Sequence, residues 1–183
     1  MSDRIDSSTG RQVSTGAALR VGDAAPDFTL PDQQGRPVHL AERLGKGPIV
    51  VYFYPKDNTT GCTAEACAFR DSYTVFTEAG AEVMGISSDS VESHRRFAEE
   101  RHLPFLLLSD EHASVRRLYK VPTTLGFLPG RVTYVLDQAG VIRHIFSSQL
   151  NATQHVKEAL ATISALRQGG HEQVRTEPGA AVE

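Results

Sequence analysis

The sequence predicts one α/β domain: a mixed central sheet flanked by helices, with a β-hairpin at its front. Two observations carry this. Short apolar runs of strand length alternate with helical patterns in a βαβαβα order, followed by a hairpin and a last helix, which is the pattern of a layered α/β sandwich. The chain of 183 residues, 40% hydrophobic and 22% charged, is long enough for a proper core and ordinary for a globular protein.

The elements follow in order. Residues 1–19 are rich in Ser, Thr, Gly and charge and read as a disordered tail. Residues 21–30 open the domain, residues 32–35 are a turn signal, and residues 36–40 answer as a short second strand. Residues 49–54 are a β-branched and aromatic run, the central strand. Residues 64–79 then hold a helical pattern free of internal Gly and Pro, with Phe69, Tyr73 and Phe76 on one face. A strand over 81–87 precedes Ser88-Asp89-Ser90, which caps a helix over 91–102. Residues 105–108 form a short buried strand and 111–119 a short helix. Residues 121–130 are a Pro/Gly-rich loop. Residues 132–136 and 141–146 flank Asp137-Gln138-Ala139-Gly140 as a hairpin. Residues 153–167 close the domain as an amphipathic helix with Val156, Leu160 and Ile163 on one face, and 169–183 are a polar tail. The domain is therefore expected over 20–168.

Several function classes find no support. A net charge of −3 gives no argument for nucleic-acid binding. No apolar run approaches the roughly 18–20 residues of a membrane span. The polar start has no signal-peptide core and no Arg-rich transit character, so the cytoplasm is the expected location. The seven histidines show no metal-ligand spacing, and residues 126–130 are not followed by the Lys-Ser/Thr of a phosphate loop. Arg95-Arg96 and Arg116-Arg117 read as solvated helix faces.

Chemistry concentrates in residues 55–67, which hold both cysteines. Cys62 falls where the buried strand turns into a helix. The unpaired N–H groups and positive dipole end of a first turn favour a thiolate there. Cys62 and Cys67 are i and i+5. On a continuous helix their Cα atoms lie roughly 8–9 Å apart, beyond the usual disulfide range of about 4.4–6.8 Å. A bond between them would require the first turn to unwind, which makes the pair a thiol switch rather than a staple. On spacing alone, two inert buried thiols are the competing reading.

The pattern Pro55-x-x-x-Thr59-x-x-Cys62 resembles the peroxiredoxin active site. The runs Tyr52-Phe53-Tyr54-Pro55-Lys56-Asp57 and Gly61-Cys62-Thr63-x-Glu65-Ala66-Cys67 are similar to the PrxQ, or bacterioferritin comigratory protein, subfamily, and residues 129–137 continue the likeness. The resemblance spans residues 21–166. It implies a thioredoxin-like fold and a thiol peroxidase acting on hydrogen peroxide and organic hydroperoxides. Cys62 would attack the peroxide and become a sulfenic acid. Cys67 would resolve it as a disulfide that thioredoxin or a similar dithiol reduces. Arg131, ahead of a Thr-aromatic strand, is the position carried over as the catalytic arginine. It would favour the thiolate and hold the reacting oxygens. Thr59 would turn its hydroxyl toward the sulfur and peroxide, and Pro55 would shield the site. No metal, flavin, haem or other cofactor is implied, and a monomer or weak dimer is.

Thr60 stands where the family usually has proline, which leaves the loop less fixed. Taken alone, Thr59 reads equally as a turn or N-cap residue, and Arg131 as a solvated cation. Glu65 reads as preferring the positive end of the helix dipole, and of the run Tyr52, Phe53 and Tyr54 one face is core while the other lines a pocket. The competing functions are a thiol–disulfide oxidoreductase, against which the missing C-x-x-C argues, and a redox-sensing module without efficient turnover.

Overall fold

The computed structural model describes residues 18–124, 126 and 128–173. Strand β1 (Thr29–Pro31) pairs antiparallel with β2 (Pro37–His39). The turn between them is fixed by Asp32, whose Oδ1 accepts from the Gln34 and Arg36 N–H groups at 2.8 and 2.9 Å, with Gly35 at φ +77°. A 3-10 turn, Leu40–Arg43, leads to the main sheet.

That sheet begins with β3 (Ile49–Phe53) and adds β4 (Glu82–Ser87) and β5 (Leu106–Ser109) parallel on one side. On its other side β8 (Val132–Leu136) runs antiparallel, followed by β9 (Ile142–Ser147); the short pair β6 (Thr123–Thr124) and β7 (Leu128–Pro129) lies in the loop before them. The order β5-β4-β3-β8-β9 puts β3 in the centre. All five of its residues are buried, as a strand covered on both faces must be.

The period of two sorts β3 between two cores. Ile49, Val51 and Phe53 face the N-terminal hairpin and α4 (Ser114–Leu118). Val50 and Tyr52, with Tyr54 beyond the strand, face the layer of α1 (Thr60–Asp71), α2 (Tyr73–Glu78), α3 (Val91–Arg101) and α5 (Ala152–Gln173). The expectation that one face of Tyr52-Phe53-Tyr54 lines a pocket is thus corrected: all three are buried, and both faces are core. Gly85 lies opposite Tyr52 in the sheet, and a Cβ there would fall 2.7 Å from the Tyr52 phenol, so only glycine leaves room for that ring.

Several boundaries differ from the sequence reading. The helix expected over 64–79 begins earlier, at Thr60, and breaks at Ser72, which leaves helical geometry at φ −98°, ψ 1°. Phe69 and Phe76 stay buried across the break, 5.7 Å apart, while Tyr73 is half-buried against Phe105. The tail expected over 169–183 starts inside α5, because Gly169 and Gly170 weaken a helix by about 1 kcal/mol each without forbidding it. Residues 174–183 lie outside the described residues, as do 1–17 of the expected N-terminal tail; Leu19, also assigned to that tail, packs against the core.

Candidate active site

Three separate clamps place Cys62. The first fixes the loop ahead of α1. Asp57 is buried, and its carboxylate accepts from Tyr54 Oη at 2.6 Å, Ser93 Oγ at 2.8 Å and His94 Nδ1 at 2.8 Å. His94 is fully buried on α3, and its Nε2 donates to the Leu108 carbonyl at 3.1 Å. The Asp57 N–H in turn donates to Asp89 Oδ2 at 2.9 Å. The loop is therefore tied to α3 and to the ends of β4 and β5, and Asn58 takes the left-handed turn (φ +57°) that Asn tolerates.

Burial pushes the Asp57 carboxyl up, but the donors from His94, Tyr54 and Ser93 outweigh it and hold the group below its usual value of 3.8. A carboxyl whose folded value is depressed stabilises the fold above its unfolded value and loses that contribution as pH falls through the folded one. Asp57→Asn is expected to cost about 3 kcal/mol at neutral pH. In urea titrations the gap from wild type should shrink below pH 3.8; a gap independent of pH would refute the assignment.

The second clamp is Arg116, which is buried rather than solvated, correcting the sequence reading. Its Nη2 donates to the Tyr54 carbonyl at 2.6 Å and its Nη1 to the Gly130 carbonyl at 2.8 Å. The end of β3 is thereby fastened to the residue before Arg131. Asp110 orients this arginine's helix by accepting from the Ser114 and Arg116 N–H groups, both at 2.8 Å.

The third is the site itself. Thr59 is the N-cap of α1, and the Thr63 N–H closes the first helical bond onto its carbonyl at 2.8 Å. The N–H groups ahead of it, that of Cys62 included, have no helical acceptor. Cys62 is buried, Cys67 is half-buried, and both are free thiols. Arg131 donates through Nη2 to Cys62 Sγ at 3.2 Å and through Nη1 to Glu65 Oε2. Arg131 is itself 4% exposed, so it is no solvated cation. Glu65 is completely buried against it, rather than merely favouring the dipole end. Burial pushes the Glu65 carboxyl up to about 8, the Arg131 charge pulling the other way. Thr133 Oγ1 and His155 Nδ1 pair at 2.8 Å behind Glu65.

The structure thus joins Cys62 to Arg131. The Thr59 hydroxyl donates to the Lys56 carbonyl at 3.1 Å rather than to the sulfur, which leaves its lone pairs free to accept. Pro55 follows β3 half-buried, between the strand and the Asp57 clamp. Glu65, His155 and Thr133 were missed as a group; the buried face of α1 at Glu65 was the available signal.

Gly61 explains its own place in the motif. Its φ is ordinary, but an added Cβ would lie 3.1 Å from Arg131 Nη2, the nitrogen that holds the sulfur. Gly61→Ala is expected to slow oxidation of Cys62 by peroxide about tenfold by displacing that contact. Stability should hold or rise, since alanine favours a helix by about 1 kcal/mol. Stopped-flow oxidation and urea midpoints check the pair; an unchanged rate would refute it.

Residues 21–145 match the model of the AhpC/TSA family. The chain is 52% identical over 158 residues to a chloroplastic peroxiredoxin Q of Sedum lineare, covering 86% of this chain and 84% of that one. Its structure is similar to peroxidoxin BcpB of Mycobacterium tuberculosis, with TM-score 0.76 and 41% identity over 81% of this chain and 99% of that one. It is also similar to the bacterioferritin comigratory protein of Xanthomonas campestris (TM-score 0.71, 30% identity, 82% and 99% covered), whose structure was described for its alkyl peroxide reduction activity. The plant relatives from Sedum, rice and Arabidopsis are each named chloroplastic. That overturns the cytoplasmic location expected above.

Proposed function

Because the chain belongs to the AhpC/TSA family, as a peroxiredoxin of the peroxiredoxin Q or bacterioferritin comigratory protein subfamily, we propose that it is a thiol peroxidase whose attacking group is Cys62. The observation that carries this reading is the Arg131 guanidinium on the buried Cys62 sulfur, in the first turn of α1.

The Cys62 thiolate attacks the terminal oxygen of the peroxide. An S–O bond forms, the O–O bond breaks, and the leaving oxygen departs with the electron pair and takes up a proton. Arg131 and the free N–H groups of the first turn face the charge as it develops, in a water-poor site where fixed donors count most. The Thr59 hydroxyl, already donating to Lys56, accepts from the peroxide O–H. Pro55 stiffens the strand end beside them. The sulfenic acid then meets Cys67, whose sulfur displaces water to form the disulfide. Since α1 runs unbroken from Thr60 to Asp71, it must unwind between the two cysteines first. A thioredoxin-type dithiol reduces the product by exchange.

Hydrogen peroxide and organic hydroperoxides are the substrates of this reading; the Xanthomonas relative supports the second class. Residues 20–168 carry the activity. The chain works as a monomer or weak dimer, since resolution within one chain needs no second copy.

One equivalent of hydrogen peroxide added to the reduced protein should remove two hydrogens from its intact mass within seconds and cross-link Cys62 to Cys67. In Cys67→Ser it should stop at a gain of one oxygen. Survival of both thiols would overturn the peroxidase and favour disulfide exchange.

A further inference from the structure

Glu65 sits in an arrangement that fits a neutral acid better than a carboxylate. Its Oε2 is on Arg131, but its Oε1 is buried with no hydrogen-bond partner among the described residues and faces His155 Nδ1 at 3.6 Å. His155 Nε2 lies 2.9 Å from the Ser148 carbonyl, which only accepts, so Nε2 carries the hydrogen. Nδ1 of the neutral ring is then a lone pair, accepting from the Thr133 hydroxyl. An ionised Oε1 would put one acceptor against another. A protonated Oε1 removes that opposition of two acceptors and leaves the lone pair to Thr133.

Charge leads to the same place. The single guanidinium of Arg131 serves two acids, Glu65 through one nitrogen and Cys62 through the other, all three buried. One buried cation neutralises one anion, and a second would lie uncompensated at a cost of several kcal/mol. Other groups facing Glu65 do not change the count. Tyr52, from β3, has a buried hydroxyl held well above its usual value by burial, with Glu65 adding to it. Arg116, from α4, lies on the Cys62 side, but the larger charge facing it is the Asp110 carboxylate, and both its Nη atoms are on carbonyls. His155, from α5, is pushed down to about 4 by burial, with the Arg131 charge adding to the effect.

Glu65 also lies between Cys62 and Cys67 on α1. The unwinding that joins the cysteines takes Glu65 off Arg131 and into water, where a carboxyl ionises freely at neutral pH.

We propose that Glu65 is the proton-holding residue of the catalytic cycle, protonated against His155 while Cys62 is a thiolate in the folded turn, and ionised once the turn unwinds into the Cys62–Cys67 disulfide. The inference rests on the peroxidase reading of Cys62. Its balance closes without a proton from solvent. Thiolate, thiol, Glu65 carboxylic acid and hydroperoxide give disulfide, Glu65 carboxylate, alcohol and one water. The sulfurs lose two electrons, the O–O bond takes them, and the proton lost by Glu65 matches the one gained by the leaving oxygen. Reduction and refolding return it. His155 is a positioning residue that acts through Glu65.

The test is the disulfide–dithiol equilibrium, measured by mass against a small dithiol of known potential. Between the ordinary carboxyl value of 4.5 and about 8, the wild type couples one more proton to reduction than Glu65→Gln does. Its equilibrium should therefore shift an extra tenfold toward disulfide per pH unit, which is about 29.6 mV. His155→Phe removes the lone pair that opposes an ionised Oε1 and should end that extra slope at lower pH. Should Glu65→Gln fail to fold, infrared spectra of the wild type decide: a protonated-carboxyl band in the reduced protein should vanish on oxidation. Equal slopes, or no such band in the reduced protein, would overturn the inference. If peroxide forms no Cys62–Cys67 disulfide in the same samples, the peroxidase reading itself fails and takes the inference with it.

Discussion

Cys62→Ser should abolish peroxide reduction, lowering the rate by about four orders of magnitude or more. Serine keeps the shape of the site and can still accept from Arg131. Its hydroxyl, though, does not ionise at a helix N-terminus, and its oxygen is no match for a thiolate as a nucleophile toward a peroxide bond. The fold should barely notice. Sγ is one buried atom with one polar partner, and the hydroxyl takes over that partner. The measurement is peroxide consumption with a thioredoxin-type reductant, alongside a urea titration whose unfolding free energy changes by no more than about 1 kcal/mol. Retained turnover would move the attack to Cys67. That residue is half-buried and five positions further along α1, beyond the unpaired N–H groups that favour the thiolate.

The cysteines and Arg131 were legible because they belong to local strings: a strand, a turn, a helix start, and a loop before a Thr-aromatic strand. The central strand and its two faces were legible for a similar reason, since a period of two along residues 49–54 is a local fact. What holds the site together was not. Glu65 meets Arg131 across 66 positions, Asp57 meets His94 across 37, and Arg116 meets the Tyr54 carbonyl across 62. Each pair forms only when the sheet order brings chain ends together, and a charged residue on a helix looks solvated until that order is known. Arg116 and its neighbour Arg117 show the difficulty well. They are adjacent in the chain, yet Arg116 is buried on two carbonyls and Arg117 is exposed. The break at Ser72 escaped notice because neither Gly nor Pro marks it and the aromatic stripe continues through it.

Arg131→Met should lower the rate of Cys62 oxidation by about a hundred- to a thousandfold. The substitution keeps much of the buried apolar stem and removes both the charge and the donors. Two losses then act together: the thiolate loses its guanidinium contact at 3.2 Å, and the leaving oxygen loses a fixed donor. Stability should fall as well, because Glu65 loses the partner of its Oε2. The fall should stay below the roughly 3–5 kcal/mol of a broken buried ion pair, since Glu65 can remain protonated. Adding Glu65→Gln separates the effects. The double variant should regain part of the stability, having no buried carboxyl left to leave without its cation, and none of the rate, because neither the charge nor the donors return. Stopped-flow oxidation and urea midpoints on the wild type, both single variants and the double variant give both quantities in one set. Recovery of the rate in the double variant would mean that Arg131 serves only to hold Glu65, and that the charge on the sulfur is not what drives the attack.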